Sequence, residues 1–218
     1  MKNLTALIIA ILFNSLVIGQ EIYMDVGAST SNFNFTNSSG EVVDGFVPKT
    51  YDLINLGYRH KYDEKLTITA GLAYTGYGSS ASIALHDSSL ASINVDYTTR
   101  YMHIRIGGEY LIYSYGDYKI STVTQLGIGG MLYGTQNLDG AISSLTDLPA
   151  DDNEFGDAML SFNLGVSAST PITDNADLYI NALGGVCNPM PFASSGQETL
   201  RIIGGSVSIG LVIDLILE

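Results

Sequence analysis

Six charged residues fall at comparable places along this chain, close to its turns and ends. Arg59 lies four residues before Asp63, Glu109 five before Ser114, and Asp214 four before the C-terminal residue. Asp25 follows shortly after the point where a leader peptide would end, Lys61 sits just beyond Arg59, and Arg105 precedes Glu109 by four positions. All six occupy the same side of a two-residue alternation, so folding brings both signs of charge together. Buried charges persist only when partnered. A structural layer of ion pairs is therefore the first reading. A gate that opens by exchange of partners is the second, and a proton or ligand path the third. Strand order would set Asp25 between Arg59 and Asp214, with Glu109 reaching Arg59, Arg105 or Lys61 from across.

Other reactive groups offer less. Residues 137–157, NLDGAISSLTDLPADDNEFGD, hold Asp139, Asp147, Asp151, Asp152, Glu154 and Asp157 with no basic residue. Clustered carboxylates suit a hard cation such as Ca²⁺. Their spacing does not match a calcium-binding EF-hand loop, and acidic loops ordinarily serve as soluble surface, so no metal is assigned. Nucleophilic catalysis needs a base within hydrogen-bond reach of its nucleophile. Only His86, beside Asp87, Ser88 and Ser89, sits on a loop tip, and neighbours in sequence do not form a triad by proximity alone. His60 faces outward between Tyr58 and Tyr62, and His103 faces inward. No catalytic residue and no cofactor are expected. Cys187 is the sole cysteine, which excludes an internal disulfide.

The elements that would position these residues are strands. In 66–78, LTITAGLAYTGYG, the positions Leu66, Ile68, Ala70, Leu72 and Tyr74 alternate with Thr67, Thr69, Gly71, Ala73 and Thr75. The same period of two runs through 21–35, 51–62, 98–113, 118–134, 157–170, 176–187 and 199–217, giving eight strands and no helix after residue 20. Short joins at 63–65, 114–117 and 173–176 alternate with long ones at 36–50, 79–97, 135–156 and 188–198. Within 80–95, Ile83 and Leu85 alternate before HDSS and Ile93 and Val95 after it, which predicts a hairpin continuing its two strands. Such a hairpin could add to a strand of another protein.

Alternation alone does not say which face meets solvent. A solvated sheet would carry many Lys and Glu, which cover exposed strands and guard edges. The polar face here carries Thr, Ser, Asn, Gln and Gly, as suits the crowded inside of a narrow barrel. The opposite face is aliphatic and almost free of charge, which lipid requires. The greasy face should therefore point outward, in an all-β, eight-stranded antiparallel up-and-down transmembrane barrel.

On this pattern the chain resembles the small outer-membrane barrels of Gram-negative bacteria, the OmpA-like, OmpX-like and OmpW-like group. It departs from many of them in ending Ile216-Leu217-Glu218 rather than on an aromatic residue. The resemblance implies an outer-membrane location with short turns and both termini in the periplasm, and a monomer. Residues 1–20, with Lys2, an apolar run and Gly19, read as a cleaved signal peptide, leaving 21–218 as the barrel. Arg100 and Arg201 face lipid beside long loops, where they would contact headgroups, including the phosphates of lipopolysaccharide. A net charge of −13 argues against nucleic acid. The function expected is a structural and surface-interaction role through the extracellular loops, meeting extracellular or envelope proteins, with the lumen plugged by ion pairs. A narrow channel, with space beside Gly127, Gly129, Gly165 and Gly185, is the alternative. A lipid-modifying enzyme is the least favoured reading.

Overall fold

In a computed structural model, which describes residues 20–36, 39–84, 92–145, 155, 158–190 and 199–215, the alternating segments close on themselves. The strands are β1 (Gln20–Thr36), β2 (Val42–Val43), β3 (Val47–Lys61), β4 (Leu66–Ala84), β5 (Ser92–Tyr115), β6 (Tyr118–Leu138), β7 (Ala141–Ser144), β8 (Ala158–Thr173), β9 (Ala176–Met190) and β10 (Thr199–Asp214). Eight of them form the ring β1-β3-β4-β5-β6-β8-β9-β10, each antiparallel to the next, and β10 returns to β1. That closing seam runs from Glu21↔Asp214 to Thr36↔Thr199. A closed ring has no sheet edge, so the ladder satisfies its backbone groups internally, which is the condition for crossing hydrocarbon. Residues 1–19, His86, Leu217 and the carboxylates Asp147, Asp151, Asp152, Glu154 and Asp157 lie outside the described residues.

Turn chemistry fixes the short connections. Asp63 Oδ1 accepts hydrogen bonds from the backbone N–H groups of Lys65 and Leu66, both at 2.7 Å, and folds the β3–β4 link. The β5–β6 link is tighter than the four-residue SYGD join, because Tyr115 pairs with Tyr118 and only Gly116-Asp117 turns. Gly116 takes φ +57°, which a side chain would disfavour. The hydrogen bonds from Lys65 and then Leu66 hold the Asp63 carboxyl below its ordinary 3.8. A depressed carboxyl stabilises the fold above its unfolded pKa and loses that contribution as pH falls through the folded one. The β3–β4 turn should thus stay closed at neutral pH and loosen only in acid below 3.8. Exchange protection of the Lys65 and Leu66 amides checks this. It should collapse in acid in the wild type and be weak at every pH in Asp63→Ala, which has no side-chain acceptor. Protection that persists into strong acid would contradict it.

The two faces separate as the alternation demands. Ile22, Met24, Ile54, Leu56, Leu72, Ile104, Ile106, Leu126, Leu164 and Ile209 all point outward and are exposed, Ile106 at 62%. Asp25, Asn55, Thr69, His103, Ser161 and Asn181 point inward and are buried. Exposed tyrosines Tyr62, Tyr113, Tyr115 and Tyr118 collect at the short-turn end. Amphipathic rings of this kind belong at a membrane interface.

Two long joins are more ordered than their composition indicates. The β4–β5 ladder continues to Ala84↔Ser92, so the expected hairpin over 80–95 forms as far as it is described. The 135–156 join instead opens with a second hairpin, in which β6 residues 135–138 pair with β7. Its turn is Asp139-Gly140, both at positive φ (47° and 95°), as a two-residue hairpin with the native twist requires. Asp139 Oδ1 also accepts from the N–H of Asn94 at 2.8 Å, so this carboxylate ties the β6–β7 turn to β5.

Candidate functional site

The lumen is the place where this fold concentrates polar chemistry, and it is layered. Nearest the short turns, register sets Glu21 between Arg59 on β3 and Asp214 on β10. Arg59 Nη2 donates to Glu109 Oε2 at 2.6 Å, and its Nε lies 3.5 Å from Glu21 Oε2. Lys61 pairs with Glu21 and lies 3.8 Å from Asp214. Arg59 therefore bridges two nearly buried carboxylates, one from the neighbouring strand β1 and one from β5, the next strand but one.

The next layer is held by hydrogen bonds. Asp25, 2% exposed, accepts from Asn55 Nδ2 at 2.6 Å and from the Tyr179 hydroxyl at 2.7 Å. Arg105 Nη1 donates to Asn55 Oδ1 at 3.1 Å, so Asn55 relays between a buried cation and a buried anion. Glycines make room for the rings of this level. A Cβ at Gly57 or Gly71 would strike Tyr23, and one at Gly210 would strike Asp25 and Tyr179.

Above it the lumen turns apolar. Phe33, Tyr77, Tyr101, Leu145, Phe155, Met159, Cys187, Leu200 and Ile202 form one buried cluster. Phe155 packs 5.3 Å from Phe33 and 5.2 Å from Tyr97, centroid to centroid, and its carbonyl accepts from the Tyr101 hydroxyl at 3.3 Å. Leu145 and Phe155, which follow β7 and precede β8, thus pack into this cluster from outside the ring of eight strands. His103 lies at the base of the cluster, its Nε2 3.3 Å from the Tyr77 hydroxyl.

Of the six charged residues read from the sequence, Arg59, Glu109, Lys61 and Asp214 meet in ion pairs. Asp25 and Arg105 do not join them. The position expected for Asp25, between Arg59 and Asp214, belongs to Glu21, because the register of β1 against β3 and β10 places the residue four positions earlier at that level. Asp25 instead faces Asn55 and Gly210. The glycines expected to leave space are also occupied. The His103 ring covers Gly129, Ser161 and Arg105 cover Gly127, Leu183 covers Gly165 and Asn163 covers Gly185.

On the outer surface, Arg100 Nη1 sits 2.5 Å from Asp52 Oδ1, with its guanidinium 4.8 Å from the Tyr51 ring centroid and 5.7 Å from that of Tyr74. A register shift of β3 against β4 between Pro48 and Leu53 accompanies this group, and Tyr51 lies across Gly76 and Gly78. Arg100 thus has a carboxylate partner within the protein. Arg201, on β10 opposite Asn34, is exposed.

A closed eight-stranded ring, apolar outside and packed with polar and aromatic side chains inside, defines a small transmembrane β-barrel of the outer-membrane type. No protein-family model and no curated protein matches the chain. Among solved structures it is similar to Ail, the attachment invasion locus protein of Yersinia pestis, in complex with the heparin analogue sucrose octasulfate. That similarity has 16% identity and a TM-score of 0.45, over 90% of this chain and 100% of that one. It is similar to Neisserial surface protein A at 12% identity and a TM-score of 0.39, over 88% and 97% of the two chains. Likewise it is similar to the outer membrane protein OprG from Pseudomonas aeruginosa, at 8% identity and a TM-score of 0.49, over 93% and 99%.

Proposed function

We propose that this chain is an outer-membrane barrel whose lumen is closed and whose work is done by the hairpins beyond the membrane belt. The observation that supports the reading is the packing of side chains at both ends of the lumen. Ion pairs close the short-turn end, and a cluster built around Tyr101, Phe33 and Phe155 closes the other. A structural and surface-interaction role, without catalysis, then falls to the extensions of β4–β5 and β6–β7, which meet extracellular or envelope proteins. The short turns and both termini face the periplasm after removal of residues 1–20, and the protein acts as a monomer. Lipopolysaccharide phosphate is the proposed contact of Arg201, which is exposed at the loop end. At Arg100 the same contact competes with Asp52.

The test is planar-bilayer conductance of the purified protein. A closed lumen gives no reproducible steps in the wild type. Steady conductance that is lost on Gly129→Phe would establish the narrow channel instead, since Gly129 lines the lumen against His103.

A further inference from the structure

Arg105 is 8% exposed and takes part in none of the ion pairs among the described residues. Its Nη1 is used by Asn55, but its Nε has no hydrogen-bond partner among the described residues. Asn163 Nδ2, from β8, is likewise buried without a partner. Both side chains line one small cavity of about 30 Å³ between the polar layer and the aromatic cluster, together with Ser29, Thr75, Tyr77 and Cys187. No carboxylate among the described residues lines it. A space of this size holds one or two water-sized particles, and a chloride ion is only slightly larger than a water molecule.

We propose that this cavity is a binding site for a single small monovalent anion, of the halide class. Three features select an anion over a neutral occupant. A guanidinium removed from water needs negative charge or several acceptors close by. The nearest carboxylate linked to Arg105, that of Asp25, is reached only through Asn55. Arg105 and Asn163 each bring a buried N–H group without a partner among the described residues to this cavity, whose wall is otherwise completed by apolar Leu53, Leu183 and Ile202 and by side chains that include Ser29, Thr75 and Tyr77, whose hydroxyls are already hydrogen-bonded. The ion would accept from Arg105 Nε and Asn163 Nδ2, satisfying two donors whose burial otherwise costs stability. It would also tie β5 to β8, the next strand but one, at the level where charged packing gives way to aromatic packing.

The experiment uses the complete mature barrel with bromide as the probe. Crystals soaked in sodium bromide should show an anomalous peak within hydrogen-bond distance of Arg105 and Asn163. The peak should vanish in Asn163→Leu, a variant that leaves Arg105 and its bond to Asn55 in place. In detergent, the unfolding midpoint of the wild type should be higher in chloride than in gluconate at equal ionic strength, and Asn163→Leu should lose that difference. An unsoaked-like cavity with no anomalous signal and equal midpoints in both salts would overturn the site, leaving water as its occupant. A peak that survives in Asn163→Leu would overturn it equally, because the ion would then not use this donor pair.

Discussion

Replacing Arg59 by Met is expected to destabilise the barrel by about 3–5 kcal/mol, since it strands buried charge that has no other partner of comparable reach. Arg59 serves Glu109 at 2.6 Å and Glu21 at 3.5 Å, and both carboxylates are almost out of solvent. Lys61 still reaches Glu21, so Glu109 carries most of the loss. Adding Glu109→Gln to Arg59→Met should restore part of the stability, because the pair then leaves as a unit. The cycle of Arg59→Met with Asp25→Asn should come much closer to additivity. Asp25 takes its hydrogen bonds from Asn55 and Tyr179, with no ion pair to Arg59. Urea unfolding in lipid bilayers measures all six proteins. Equal coupling in the two cycles would mean that the charges act as one diffuse pool, and the layered lumen would have to be abandoned.

Leu164→Arg is the second large expected effect. Leu164 sits mid-strand on β8, 53% exposed, between Thr124 of β6 and Gly184 of β9. An exposed leucine in a water-soluble barrel would accept arginine at little cost. In hydrocarbon the same change costs about 2–4 kcal/mol at the midplane and about 0–1 kcal/mol near an interface. Ile106→Arg on β5 should behave like Leu164→Arg, while Tyr110→Arg, nearer the short turns, should be nearly neutral. Leu164→Val should also be mild, because the outer face lacks a packed protein neighbour to leave a cavity against. Bilayer unfolding free energies of these four variants check the depth profile. A flat profile would remove the lipid assignment of this face.

Much of this architecture is legible in the chain because a period of two specifies a face, and small polar residues opposite aliphatic ones specify which face is inside. Asp25, Asn55 and His103 inside, and Leu56, Ile106 and Leu164 outside, follow from parity alone. Height along the barrel does not. Glu21 escapes a count made from the turns, which cannot supply the register that sets it opposite both Arg59 and Asp214. The aromatic cluster carried a signal of its own: Phe33, Tyr77 and Tyr101 fall on the nominally polar side of their strands. Asp139-Gly140 likewise marks a tight hairpin within a stretch that composition alone assigns to a loop. The Arg100–Asp52 pair depends on a local shift between β3 and β4, which no counting of alternate residues reveals.

The central claim is a closed barrel held in the outer membrane with its aliphatic face in lipid. Gel mobility of unheated against boiled protein, taken from an outer-membrane fraction, tests it most directly. A closed barrel resists detergent at room temperature because every strand has two neighbours, so the unheated protein should run faster as a compact species and shift to full length on boiling. Recovery in the soluble fraction, with identical mobility before and after heating, would contradict the account and turn the two faces of every strand around.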